Sequence, residues 1–438
     1  MEEKTEEDLY RNQERENWPP YTYRDYPDIT PENYRSFLSF LRTENTRHLE
    51  MELQAWISFC DSKCTFCYFP NEPFHKERIE EYLLALKKEL KMYAETRYIR
   101  SSEFDEVVLG GGTPTVLSSE QIVDLLSYCQ KTFNVTEDPM IKVAASTHNV
   151  DKKKFKALVD YAESVHARCA QMDIGVQTFD DSIRKMFNMQ DSAVEAERMI
   201  KTARRLGLYV CIDLMFNLPG QTTEGFREDI KRALKLDVEG IDYYALSVVS
   251  GTPLAKQIQR GKIPPMGGSD LEKKMYLEAY EMFEEAGYTP TGHSRFARVA
   301  EWIDERCCVG WPWTGQLTAG AGAFMGYFER YSYVNIEPAS AYINAVNRGI
   351  IPIAKLSISS EEEEMRKVMM RLYIRQPVDK QKFREQFGRL PEETFPRAIS
   401  KLEKKGLIKV DNREIRLTKK GDVWRYNIAW EFGPRKKP

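Results

Sequence analysis

Residues 49–70 read LEMELQAWISFCDSKCTFCYFP. The run Leu49–Ile57 alternates like a strand and passes into a loop carrying three thiols, Cys60, Cys64 and Cys67. The loop lies past the strand's C-terminal end, where α/β barrels and open α/β sheets alike place their active sites. Clustered thiols are a metal-binding arrangement, yet a closed tetrahedral zinc site takes four ligands. The spacing Cys-x3-Cys-x2-Cys suits three corners of a cubane [4Fe–4S] cluster, with the fourth iron open to a small molecule. Structural zinc is the competing reading, completed by His75 as the nearest downstream histidine. Zinc more often draws a second Cys-x2-Cys knuckle, and none follows.

Outward from this loop a strand–helix rhythm repeats. FDEVVLGG (104–111), MIKVAAS (140–146), AQMDIGVQ (170–177), LYVCIDLMFNL (208–218) and GIDYYALSVV (240–249) read as further strands. Helical periodicity covers 76–98, a segment capped by Ser118 or Ser119, and 151–164, 193–206 and 222–236. Such alternation implies parallel pairing through right-handed crossovers. Six units rather than eight point to a partial (β/α)6 barrel over residues 48–250, with a doubly wound open sheet as the alternative.

Residues 1–47 form a polar extension rich in proline and aromatics, as in NWPPYTYRDYPDITPENY (17–34), suited to an arm over another surface. A connecting region, 251–355, is expected to close the barrel. Residues 356–438 read as a small winged-helix-like domain whose hairpin turns at Asp411–Asn412.

Composition narrows the class. The 438 residues carry a net charge of −3, with 42% hydrophobic and 12% aromatic content, as in a folded globular chain. That balance gives no reason to expect nucleic acid as a partner. The start MEEKTEEDLY lacks a hydrophobic signal core, and no apolar run is long enough to span a bilayer. Cys129, Cys169, Cys211, Cys307 and Cys308 form no disulfide framework, so reduced thiols and a cytoplasmic location are expected.

Gly110-Gly111-Gly112-Thr113-Pro114-Thr115 ends the second strand, and a backbone without side chains lets a ligand approach closely. One βα unit after the three-cysteine loop, this run resembles the radical S-adenosylmethionine superfamily. DIGVQTFDD (173–181), CIDLMFNLPGQT (211–222), YALSVVSGTPL (244–254), HSRFAR (293–298) and LTAGAGAF (317–324) stand in the order of one of its families. That family is oxygen-independent coproporphyrinogen III oxidase, which also holds the heme chaperone HemW and class C methyltransferases. The resemblance spans about residues 49–430.

The resemblance implies a [4Fe–4S] cluster on Cys60, Cys64 and Cys67, whose open iron chelates S-adenosylmethionine. One electron, from a donor such as flavodoxin or ferredoxin, then releases a 5′-deoxyadenosyl radical. The implied nucleoside contacts are Phe66, Gly111, Gly112, Thr113, Gln177, Asp213 and Ala245. Phe324 falls near a second S-adenosylmethionine.

Departures bear on the subfamily. Gln54, Ala144 and Met189 stand where the family has contacts to the nucleoside. Loss of a charged partner should weaken binding by roughly 1.5–3 kcal/mol unless Arg184 or Lys185 substitutes. Phe69 replaces the extra cysteine of coproporphyrinogen oxidases, and Arg306-Cys307 replaces the His-Asn pair of HemW chaperones. The expectation is therefore methyl or methylene transfer, from a second S-adenosylmethionine to an sp2 carbon of a small, flat or apolar substrate. The alternative is a tetrapyrrole-linked role: oxidative decarboxylation, heme modification or a non-catalytic chaperone. Trp311, Trp313, Phe324, Tyr327 and Phe328 either floor such a substrate or pack the barrel's open side. His148 and His293 stand near the mouth, and neither is singled out as a base.

Overall fold

The computed structural model describes residues 18–299, 313–324 and 326–434. Its centre is six parallel strands: β1 (Glu50–Ile57), β2 (Glu103–Gly111), β3 (Val135–Ser146), β4 (Cys169–Gln177), β5 (Tyr209–Phe216) and β6 (Gly240–Ala245). They neighbour one another in chain order. Crossovers that always advance to the next neighbour place the helices on one face, so the sheet curls like part of a barrel instead of being doubly wound. Burial explains the near-continuous apolar runs: Met51, Leu53, Ala55 and Ile57 are all fully covered.

The intervening helices begin on their own caps. Ser118, not Ser119, caps Ser119–Thr132: its hydroxyl accepts from Gln121 N at 3.2 Å, and Gln121 Oε1 accepts from Ser118 N at 3.0 Å. Asp151, Ser192 and Thr222 cap the next helices by the same chemistry. The helix expected over 76–98 runs Lys76–Ala94 and breaks at Thr96, whose extended backbone starts the turn Arg97–Arg100. The last strand is shorter than its pattern: it stops at Ala245, and the following residues leave the sheet toward its mouth.

Among the described residues, the region 251–355, expected to close the barrel, widens the sheet at both edges to twelve strands. β7 (Thr289–Thr291) and β8 (Arg295–Ala297) add beyond β6. β9 (Thr314–Ala319) runs parallel to β1, followed by β10 (Gly326–Phe328), β11 (Tyr331–Asn335) and β12 (Ile353–Ile358). An edge strand exposes unpaired backbone groups, and β9 removes that edge from β1. Glu89 clamps the addition to helix Lys76–Ala94, accepting from Gly320 N at 2.8 Å, Asn335 Nδ2 at 2.7 Å and Tyr342 Oη at 2.6 Å.

Among the described residues, the aromatic segment is packing. Tyr327 and Phe328 are fully buried in β10, and Trp313 joins the core of the C-terminal unit. Trp311, Arg306, Cys307 and Cys308 lie outside the described residues. That C-terminal unit has helices Lys380–Phe387, Pro391–Thr394 and Pro396–Lys404, and three short strands with a turn at Asp411. The arm lies on the added strands, with Ile29 N bonded to Ala354 O at 2.9 Å and Phe37 packed on Phe328, Tyr331 and Tyr333. Among the described residues, no helix is long and apolar enough to cross a membrane.

Candidate functional site

A cavity of about 450 Å³ opens at the C-terminal ends of the six strands, within the size range of small-molecule sites. Its walls hold Cys60, Cys64, Cys67, Phe66, Gly111, Gly112, Thr113, Gln177, Asp213 and Ala245, so most residues predicted for the site converge on one space.

The cysteine loop is held from two sides. Beneath it, Gly112 N donates to Ile57 O at 2.7 Å and Thr113 N to Phe59 O at 2.9 Å. A Cβ on Gly112 would stand 2.7 Å from Phe59 O and 3.0 Å from Cys60 Sγ, so the glycine is a packing requirement of the loop. Gly111 also has φ +109°, the left-handed region open to glycine. Across the mouth, Thr65 N donates to Phe187 O at 3.0 Å, and Asn188 Nδ2 to Lys63 O at 3.0 Å. Phe66 meets Phe187 edge-on at 4.9 Å.

Two of the sulfurs receive hydrogen bonds: Thr113 Oγ1 lies 3.2 Å from Cys60 Sγ, and Asn71 Nδ2 3.7 Å from Cys67 Sγ. Burial pushes the Cys60 thiol up to about 11 and the Cys64 thiol to about 12, with mutual repulsion adding to both. Thiols of this kind become thiolates when a metal takes the proton's place. Among the described residues, no three His, Cys, Asp or Glu side chains converge on a point that would hold a single ion. His75, the residue that would complete a zinc site, is exposed at the head of its helix.

Arg184 does not replace the missing nucleoside arginine. Its guanidinium is 1% exposed and fully engaged, donating to Val176 O at 2.8 Å, Thr178 O at 3.1 Å and Asp191. The two carbonyls flank Gln177, whose φ is +66°, so Arg184 fixes a left-handed turn. That turn presents Gln177 to the cavity. The Gln177 side chain donates to Asp213, and its Oε1 is buried without a partner. Burial pushes the Asp213 carboxyl well up, and Asp242 and Asp173 repel it further, while Arg295 opposes them. An orphan acceptor beside a carboxyl that favours its neutral form fits a polyhydroxylated ligand.

Of the three departures, Ala144 and Met189 line the cavity as apolar surface. Gln54 faces the β9 interface, where its Oε1 accepts from Gln316 and Thr318, each at 3.4 Å. Phe324 is not on the wall either. It is sealed between Tyr23 at 4.2 Å, Trp56 at 5.0 Å and Phe69 at 5.2 Å, because the arm covers the face it was expected to present.

Other wall residues had weaker sequence signals or none. Ser146 Oγ, His148 Nδ1 at 2.8 Å, and His148 Nε2 to Asp61 at 3.0 Å form a chain from the cavity to the surface. Partial burial opposes ionisation of Asp61, yet bonds from His148 and Asn149 hold its carboxyl below the usual range. Tyr68, beside Cys67, and Tyr244, in β6, line the cavity too, as do Trp18, His293, Arg425 and Tyr426. His293 was flagged by its motif. Trp18 and Arg425 come from the two extremities of the described chain, and no local pattern announces them.

Known proteins resemble this chain in sequence and fold. Residues 56–233 fit the Radical SAM superfamily and residues 358–424 the HemN C-terminal domain. The chain carries a radical SAM domain at residues 56–233. Its curated relatives include anaerobilin synthase of Escherichia coli O157:H7, 27% identical over 85% of this chain and 81% of that one. The heme chaperone HemW of Bacillus subtilis is 28% identical over 86% and 97%. In fold the chain matches the E. coli coproporphyrinogen III oxidase HemN, itself described as a radical SAM enzyme. The TM-score is 0.79, over 97% of this chain and 98% of that one, at 20% identity. A radical SAM domain implies a [4Fe–4S] cluster and S-adenosylmethionine. The thiol loop, the glycine cradle and the orphan Gln177 acceptor fit both.

Proposed function

We propose that this protein is a radical SAM enzyme whose substrate is a tetrapyrrole. The observation that carries the reading is the joint wall of the cavity. Three thiols and a glycine cradle share the cavity lining with the rings of Trp18, Tyr68, Tyr244 and Tyr426. Aromatic rings offer a flat, polarisable surface to a flat ligand. Relatives named for heme and for coproporphyrinogen support the same substrate class, and they favour it over the methyl transfer expected from sequence.

When bound, the cluster and S-adenosylmethionine supply one-electron cleavage of a sulfonium C–S bond, with the electron drawn from a donor such as flavodoxin or ferredoxin. The chain's own residues position and shield. Cys60, Cys64 and Cys67 would hold the cluster, with Thr113 and Asn71 hydrogen-bonded to two of the sulfurs. Gly111, Gly112, Gln177, Asp213 and Ala245 would hold the nucleoside, with Phe66 beside it. The chain Ser146–His148–Asp61 can hand a proton from the cavity to solvent.

The test is anaerobic. The reconstituted protein, dithionite and S-adenosylmethionine are incubated with heme or coproporphyrinogen III, and nucleoside products are measured. Tetrapyrrole-stimulated 5′-deoxyadenosine without S-adenosylhomocysteine is expected. S-adenosylhomocysteine in equal amount would restore methyl transfer. Tetrapyrrole binding without either product would make the protein a carrier.

A further inference from the structure

The cavity wall carries a buried positive charge that no carboxylate bonds directly. Arg425 is 1% exposed and lines the cavity. Its Nη1 donates to Tyr276 Oη at 3.0 Å and to the Asp422 carbonyl at 3.2 Å, both neutral acceptors, and its Nε is buried with no partner. The Asp422 carboxylate is already committed to Arg375, which donates from Nε at 2.7 Å and Nη2 at 3.2 Å. Two guanidinium groups therefore share one carboxylate.

His293, whose Nε2 is 3.0 Å from Tyr426 Oη, adds no compensating charge. Burial and the two arginines push its imidazole down to about 3, which keeps it neutral. Asp173 on the cavity wall draws on a different cation, Arg295, which stands 3.6 Å from it and 2.9 Å from Asp242 behind it. A buried charge lacking a partner costs several kcal/mol in a folded protein and is sustained where an anion completes it.

We propose that Arg425, flanked by Tyr426 and His293, is an anion-binding subsite, and that the molecule this cavity accepts docks a carboxylate on it. Arginine matches a carboxylate with paired N–H donors, and the neighbouring Tyr426 hydroxyl can bind the same group. Resting on the tetrapyrrole reading, this narrows the substrate to a tetrapyrrole with free acid side chains. Recognition then belongs to the C-terminal unit, while the strand ends hold the chemistry.

The test changes the probe before it changes the protein. Binding of coproporphyrin III and of its tetramethyl ester, each presented in the same detergent micelles, is measured by calorimetry on the reconstituted full-length protein. The free acid should bind at least about tenfold tighter, a difference near 1.4 kcal/mol. Arg425→Met should erase that preference, Arg425→Lys should keep part of it, and neither should change S-adenosylmethionine affinity. Melting curves check that the variants fold.

Equal binding of acid and ester by the wild type overturns the proposal, as does a folded Arg425→Met that keeps the preference. A loss confined to S-adenosylmethionine affinity would assign the anion to the methionine carboxylate and also overturn it. If neither porphyrin binds, the tetrapyrrole reading fails by itself. Propionate alone then decides the subsite: it should raise the melting temperature of the wild type but not of Arg425→Met, and no such difference overturns the proposal.

Discussion

The two walls of the cavity are built in opposite ways. The strand-end wall takes its residues from short contiguous stretches, 60–67 and 110–113, and from the last residues of successive strands. The facing wall takes Trp18 from the arm, His293 from the turn before β8, and Arg425 and Tyr426 from the C-terminal helix. One wall is written locally; the other exists only after distant segments dock. The strand-end wall is shaped by backbone, with glycines that tolerate no Cβ and hydrogen-bonded sulfurs. The facing wall is shaped by rings and one unpaired guanidinium.

Substitutions can break that contrast in graded steps. Cys64→Ala should abolish iron–sulfur absorption and S-adenosylmethionine cleavage while the fold survives, checked by iron and sulfide content beside circular dichroism. Arg184→Ala should destabilise by about 3–5 kcal/mol, because Asp191 is left buried without its cation. A denaturant titration measures this, and S-adenosylmethionine affinity in the folded fraction should fall only through the loosened Gln177 turn.

Glu89→Gln lies outside both walls and calibrates the frame. Burial raises the Glu89 carboxyl from 4.5 to about 7. The stability carried by its neutral form is full below pH 4.5 and is lost as pH rises through about 7. Over that window the wild type should lose on the order of 3 kcal/mol relative to Glu89→Gln, read from pH-dependent melting.

Gly112→Ala should cost about 1–3 kcal/mol by overpacking against Phe59 O and weaken cluster retention. Trp430→Phe should have the smallest effect, about 1 kcal/mol, from loss of the bond between Trp430 Nε1 and Trp18 O at 2.8 Å. Limited proteolysis should show the arm cut faster, with the strand-end wall unaffected.

The same contrast governs what could be read from sequence. The six strands and their helices were legible because apolar periodicity and capping residues are local signals, as at Ser118–Ser119. The cysteine loop and glycine run were legible because their spacing carries the chemistry. Arg184 was misjudged as a ligand candidate because nothing local shows that its partners are the carbonyls beside Gln177. Phe324 was misplaced because the arm's Tyr23 covers it, a contact between residues about 300 positions apart. The widening of the sheet by β9 was invisible for the same reason: strand pairing across 264 residues leaves no periodicity to find.

The position of Trp18 has an optical consequence. Its indole stands in the facing wall with the Arg24 guanidinium 4.6 Å over the ring. An occupant that absorbs in the near ultraviolet or visible will quench its fluorescence, and Trp18→Phe isolates that contribution. The indole also meets Tyr68 edge-on at 5.5 Å, one residue past Cys67, so it reports on the cysteine loop itself. Cluster loading should quench it before substrate is added, and a further drop then marks substrate entry.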